Sequence, residues 1–143
     1  MSRKRSRARS RALQALYQWQ LTGQDVADIE AQFLAERDMG NVDTGYFGDL
    51  LHGVTGHLHE LDDHAAPYLD RAVDQVDPVE RAILRLGIYE LAFHPEVPYR
   101  VAINEAVELG KSFGAEQGHK YINSILDRVA RTLRSTEMRA RPG

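Results

Sequence analysis

The sequence contains no cysteine and no long apolar run. Without cysteine, a disulfide scaffold, a thiol nucleophile and a cysteine-ligated zinc or iron–sulfur site are excluded. No apolar run approaches the ~20 residues that span a bilayer, and no apolar segment of a secretory signal follows the basic N-terminus. We therefore expect a cytoplasmic protein with no membrane association.

Catalytic signatures are also missing. There is no Walker loop, no dinucleotide-binding glycine pattern and no nucleophile elbow. One cluster resembles metal ligands but lacks the HExxH pattern, so a solvated helix face is the preferred interpretation. That cluster consists of His57, His59, Glu60, Asp63 and His64. The sequence thus predicts no catalytic residue, no cofactor and no metal.

Charge is distributed unevenly along the chain, although the net charge is only −3. Residues 24–80 hold fourteen acids against two cations, Arg37 and Arg71. Residues 1–11 hold no acid and six cations, namely Arg3, Lys4, Arg5, Arg7, Arg9 and Arg11. Because cations that neutralise phosphates release counterions, this basic arm predicts salt-dependent contact with RNA or DNA. The alternative is a solvated, disordered tail.

Apolar residues recur at helical spacing along nearly the whole chain, and β-branched alternation is absent. The length of 143 residues, 43% of them apolar, predicts a single ordered domain over 1–143. We expect about seven helices, near 5–21, 26–37, 44–58, 61–69, 78–93, 101–112 and 117–133. Asp77-Pro78 is a strong helix start, and Pro67 predicts a break. The polar tail from about 135 to 143 is expected to fray.

Two further segments could contact RNA or protein. The stretch Phe113–Tyr121 places an aromatic residue at each end of a glycine-containing turn, where a base could stack. Its alternative is an ordinary helix–helix turn with buried aromatics. The polar and aromatic residues Gln14 and Tyr17 lie on the same helix as the basic arm, where amphipathic packing is the alternative.

Several stretches resemble the NusB transcription antitermination proteins, and together they span nearly the whole chain. The most specific are RARSRALQALYQWQ (7–20), VERAILRL (79–86), VPYRVAINEAVEL (97–109), KSFGAE (111–116) and HKYIN (119–123). The resemblance implies an all-α, NusB-like RNA-binding domain of two small helical bundles with no enzymatic role. It also implies binding to single-stranded boxA RNA of ribosomal RNA operon transcripts together with the small-subunit ribosomal protein NusE, within the antitermination complex of RNA polymerase.

The resemblance assigns roles residue by residue. Partner contacts fall on Tyr17, Leu21 and Glu80. RNA contacts fall on Arg5, Arg7, Arg9, Gln14, Phe113, Gln117, Lys120 and Tyr121, and the charge of the basic arm adds Arg3 and Lys4 to the predicted RNA contacts. The chain departs from close relatives at Ser6 within the arm, at Gln117, and at Tyr121, where phenylalanine is common.

Two other functions stay open at this point. The chain could be an RNA-recognition appendage of a ribosomal RNA methyltransferase, which would need a separate catalytic chain. It could also be a protein-binding helical scaffold with an inert basic tail.

Overall fold

The computed structural model describes residues 2–140, which divide into two compact units. One unit ends at Leu58 and the other begins at His59. All regular structure in the described range is helical, so the predicted all-α fold of two small helical bundles is confirmed. The α-helices are α1 (Arg3–Thr22), α2 (Val26–Glu36), α3 (Thr44–Gly56), α4 (Leu58–Ala65), α5 (Pro78–Phe93), α6 (Tyr99–Phe113), α7 (Gly118–Leu133) and α8 (Ser135–Ala140).

In the first unit α1 packs against α2 and α3. The residue before each helix caps it, because its side chain accepts a hydrogen bond from a backbone amide of the first turn. These capping residues are Ser2, Asp25 and Asp43. Helix α1 ends at Gly23, whose φ of 69° lies in the left-handed region that glycine tolerates. The core of this unit is apolar and includes Ala12, Leu13, Leu16, Ile29, Phe33, Phe47, Leu50 and Leu51.

The second unit is built around α5, which packs against α6 and α7. Asp77 accepts hydrogen bonds from the amides of Val79 and Glu80, so the predicted start of this helix is observed. Residues 82–91 are buried without interruption, as expected for a central helix. A Cβ added at Gly87 would lie 2.7 Å from the side chain of Leu126, so glycine permits the close approach of α7.

Pro67 ends the α-helical part of the segment that precedes α5. Helix α4 stops at Ala65, and residues 66–68 continue as a 3-10 turn, which does not need the hydrogen bond that proline removes. A second short turn covers Val73–Gln75. Arg85 of α5 makes a bidentate ion pair with Asp62 of α4, with N–O distances of 2.9 Å, which links α4 to the central helix.

The expectation that the polar tail frays is wrong for residues 135–140, which form α8. Arg134 and Glu137 are bonded to each other at 2.6 Å, and Glu137 also accepts the amide of Tyr99 at the start of α6. These contacts hold the segment in place although its composition is polar. Residues 141–143 of the predicted tail, and Met1 of the basic arm, lie outside the described residues.

Candidate RNA and partner interfaces

The basic arm is an ordered helix in the structure, not a disordered tail. Helix α1 begins at Arg3, and residues 3–11 are continuous with the apolar part that forms the core. Arg3, Lys4 and Arg7 are exposed, and Arg5 is half-buried. The cations that the sequence assigned to RNA therefore stand at fixed positions along one helix.

A loop between α2 and α3 supports this helix from one side. The guanidinium of Arg7 donates to the Asn41 carbonyl at 3.4 Å, and that of Arg11 donates to the Asp38 carbonyl at 3.2 Å. The amide of Asp43 donates to the Lys4 carbonyl at 3.1 Å. Residues 38–43 thus fix both the backbone and the side chains of the basic helix.

Tyr46 of α3 provides a second support. The guanidinium of Arg5 lies 4.1 Å from the centre of the Tyr46 ring, and its Nε is 3.9 Å from an Asp43 oxygen. A guanidinium over an aromatic face gains cation–π attraction, which restricts where Arg5 can point. Arg5 is therefore partly committed to contacts inside the first unit.

Arg9 is placed differently from the other predicted RNA cations. Its side chain is buried, with 3% of the residue exposed, and its guanidinium lies 5.5 Å from the Tyr46 ring centre. The structure therefore corrects its expected placement on an open RNA surface, because Arg9 is part of the packing between α1 and α3. Its spacing of two residues from Arg7 turns it to the inner face of the helix, which charge counting alone does not register.

The predicted partner residues of α1 do reach the surface. Tyr17 is 39% exposed and Leu21 is 57% exposed, and their i, i+4 spacing puts them on one face of the helix. Gln14 donates to the Ser10 carbonyl and accepts from Arg37, so its amide is held beside the same helix. Tyr17 is therefore not fully buried, although the larger part of the residue is covered.

The second predicted RNA segment lies at the turn between α6 and α7. Phe113, the last residue of α6, is 44% exposed, so the alternative of a core aromatic does not apply to it. Gln117 and Lys120 are exposed, and Tyr121 is half-buried. Burial is the main reason that the pKa of the Tyr121 hydroxyl is raised.

Glu80, the predicted partner residue of α5, lies directly against this turn. One carboxylate oxygen of Glu80 would be only 2.5 Å from a Cβ added at Gly118, the first residue of α7. Glycine at position 118 therefore makes room for the Glu80 side chain. The partner residue and the RNA segment of the second unit are neighbours, which spacing in the sequence did not reveal.

The pKa of Glu80 is raised, first by burial and then by the nearby Asp77, while Arg71 acts in the opposite direction. Because the pKa of Glu80 is higher in the folded protein than the ordinary value of 4.5, the unfolded chain releases this proton first as pH rises. The free energy of unfolding therefore decreases as pH rises above about 4.5. In Glu80→Gln, which has no proton to release, this decrease above about pH 4.5 is expected to disappear. Urea unfolding at several pH values measures this. Glu116→Gln, on an exposed residue, is the control, and an equal change in both variants would contradict the assignment.

Two other kinds of site are absent from residues 2–140. No group of three or more histidine, cysteine or acidic residues in this range is arranged to hold a metal ion, the histidine cluster at 57–64 included. No helix in the same range is long and apolar enough to cross a bilayer.

The basic helix belongs to the first unit and the aromatic turn to the second, so a surface shared by both stays a prediction.

The fold and these surfaces define an all-helical protein with a cationic helix and exposed aromatic positions, the features of an RNA- and protein-binding module. The sequence pattern of the NusB family matches residues 6–131, so the chain belongs to the NusB family. It is 55% identical over 141 residues to the transcription antitermination protein NusB of Nitrosococcus oceani, covering 99% of this chain and 95% of that protein.

Solved structures agree with this assignment. NusB of T. maritima superposes with a TM-score of 0.77 and 32% identity, over 92% of this chain and 93% of that chain. A complex of the antitermination factors NusB and NusE with double-stranded RNA matches with a TM-score of 0.82 and 27% identity, over 92% of this chain and 99% of that chain.

Proposed function

We propose that the chain is a non-enzymatic, cytoplasmic RNA-binding factor that acts in transcription antitermination. It binds boxA RNA of ribosomal RNA operon transcripts together with the ribosomal protein NusE, within the antitermination complex of RNA polymerase. Membership of the NusB family and the likeness to a NusB crystallised with NusE and RNA support this function. The observation that carries it is helix α1, which keeps Arg3, Lys4 and Arg7 exposed on an ordered backbone.

The two units contact different parts of the RNA. The cations of α1 meet phosphates, which fixes position and supplies affinity without reading sequence. Phe113 and Tyr121 offer aromatic faces to bases, and Gln117 and Lys120 offer hydrogen-bond donors beside them. Tyr17 and Leu21 in the first unit and Glu80 in the second are the surfaces offered to NusE.

The RNA is expected to be single-stranded, because unpaired bases can be splayed out and stacked on aromatic rings. The related complex contains double-stranded RNA, so both forms belong in the test. Gel-shift titration of a boxA RNA strand and of the same sequence as a duplex, each with and without NusE, separates them. Tighter binding of the duplex would contradict the proposed strand preference.

The basic helix must be tested by substitution, not by deleting residues 1–11. Such a deletion would remove the buried Ala8 and Arg9 along with the exposed cations and would disturb the core. Alanine at Arg3, Lys4 and Arg7 removes three exposed charges and, besides them, the hydrogen bond from Arg7 to the Asn41 carbonyl. Unchanged RNA affinity in this variant would favour a protein-binding scaffold, and a stable methyltransferase recovered from a bacterial lysate would favour an appendage role.

Tyr121→Ala is expected to weaken boxA RNA binding by about 1–3 kcal/mol if the ring stacks on a base. Tyr121→Phe keeps the ring and should retain the contribution of stacking to the affinity. Fluorescence anisotropy with labelled RNA measures both variants, and urea unfolding checks that the fold survives. A loss of stability without any change in RNA affinity would show that Tyr121 serves the core of the second unit instead.

A further inference from the structure

The hydroxyl of Tyr121 has a partner that the sequence did not suggest. It donates to Oδ1 of Asp70 at 3.3 Å. The same carboxylate accepts two hydrogen bonds from Arg71, from Nε at 2.8 Å and from Nη2 at 2.9 Å. Three donors from two side chains therefore converge on one anion beside the turn between α6 and α7.

This donor set suits a phosphate as well as it suits a carboxylate. A guanidinium binds both anions through two parallel N–H bonds, and a phenol can donate to either. The hydrogen bonds from Arg71 are also the main reason that the pKa of Asp70 is lowered, so the carboxylate is ionised at neutral pH. Asp70 thus holds a negative charge where a backbone phosphate could be held instead.

The position is accessible and is a poor place for a permanent ion pair. The side chain of Arg71 is 54% exposed and that of Asp70 is 59% exposed. Exposed ion pairs of this kind contribute little to stability, so an incoming anion can displace the carboxylate. Arg71 is one of only two cations in the acidic stretch 24–80, and besides Asp70 its charge also acts on the carboxylate of Glu80.

We propose that Arg71 and the Tyr121 hydroxyl form a binding position for one phosphate of the RNA backbone, which Asp70 occupies when RNA is absent. The proposal rests on the proposed RNA-binding function and adds a contact to it. RNA takes the place of Asp70 on Arg71 and on the phenol, while the Tyr121 ring stays available for a base. Asp70 then acts as an internal competitor that lowers RNA affinity.

Asp70→Asn tests the competition, because the amide keeps the shape of the side chain and removes its charge. We expect boxA RNA to bind about two- to fivefold more tightly, because RNA no longer has to displace an exposed ion pair and such pairs are worth about that much. Arg71→Ala should weaken binding and lower the slope of log affinity against log salt by up to ~0.7, the value for one phosphate contact on a single strand. In the double variant the gain from Asp70→Asn should vanish.

Asp127→Asn is the matched control. Asp127 forms an exposed ion pair with Arg131 at 2.9 Å on α7, and no tyrosine within residues 2–140 donates to it. An equal gain in affinity from Asp127→Asn would overturn the proposal, because net charge alone would then explain the effect. An unchanged salt slope in Arg71→Ala would also overturn it.

Measurements with and without NusE complete the test. If Arg71→Ala weakens only the complex that contains NusE, Arg71 contacts the protein partner and the phosphate assignment is wrong. If the unaltered chain fails to bind boxA RNA under either condition, the proposed function itself fails. The two failures are therefore distinguishable.

Discussion

Replacing Arg3, Lys4 and Arg7 with alanine is expected to lower the salt slope of RNA binding by up to ~2, since each phosphate contact on a single strand contributes ~0.7. Over a tenfold rise in salt, the affinity of the unaltered protein should then fall about 100-fold more than that of the variant, so the difference between the two is largest at low salt. All three side chains are exposed and lie on the ordered helix α1. The measurement is fluorescence anisotropy with boxA RNA at a series of potassium chloride concentrations.

Unfolding should not account for this loss. Arg3 and Lys4 lie in the first turn of α1, where positive charge opposes the helix dipole by roughly 0.3–1 kcal/mol each. Their removal is therefore expected to leave the helix as stable or slightly more stable. Circular dichroism during thermal unfolding verifies this point before any affinity is interpreted.

A matched triple variant controls for net charge. Arg128, Arg131 and Arg139 are exposed cations of α7 and α8, and their replacement with alanine changes the net charge equally. Beyond a Debye length of ~10 Å at 0.1 M salt their effect on RNA should be largely screened. An equal reduction of the salt slope by this variant would mean that α1 has no special role.

Arg9 differs from the exposed cations of α1 because its side chain packs inside the first unit. Because it is 3% exposed and lies beside the Tyr46 ring, its replacement should mainly destabilise the first unit. The sequence showed six cations in eleven residues but could not show which of them faces inward. That distinction depends on α3, which supplies the ring and comes more than thirty residues later.

Local signals in the sequence predicted much of the fold. Asp77-Pro78 and Gly23 mark helix ends through backbone chemistry that needs no distant partner. The burial of α5 followed from apolar residues around most of its circumference. The exposed aromatic Phe113 was also expected, although only through family resemblance.

Contacts between distant polar residues could not be predicted in this way. Asp70 and Tyr121 are 51 positions apart, and each has an ordinary surface composition around it. A short polar helix such as α8 is too short to be stable alone, so its sequence gives no helical signal. Such features arise from hydrogen bonds that only the assembled unit provides.

Loss of Arg134 should strongly destabilise the second unit. Its guanidinium donates to four backbone carbonyls, those of Glu90 at 3.2 Å and of Leu91, His94 and Val97 at 2.9 Å each. Leu91 lies in the last turn of α5, and its carbonyl lacks an amide partner four residues on because residue 95 is proline, whereas the Glu90 carbonyl also accepts the His94 amide at 3.0 Å. The positive charge also suits the negative end of the α5 dipole.

Glu137 extends this arrangement to the next helix. It bonds Arg134 at 2.6 Å through one oxygen and accepts the Tyr99 amide at 3.0 Å through the other. The residue before Tyr99 is Pro98, which offers no side-chain cap to α6. The Arg134–Glu137 pair therefore satisfies the end of α5 and the start of α6 together, which explains why α8 is ordered.

Arg134→Met is expected to lower the free energy of unfolding by about 3–5 kcal/mol, because it removes the hydrogen bonds of Arg134 to the Leu91 and Val97 carbonyls and its ion pair with Glu137. Arg131→Met is the control, since Arg131 makes an exposed ion pair with Asp127 and should cost less than about 1 kcal/mol. Urea unfolding followed by circular dichroism measures both variants. Similar losses in the two would mean that the hydrogen bonds of Arg134 add nothing beyond a surface ion pair.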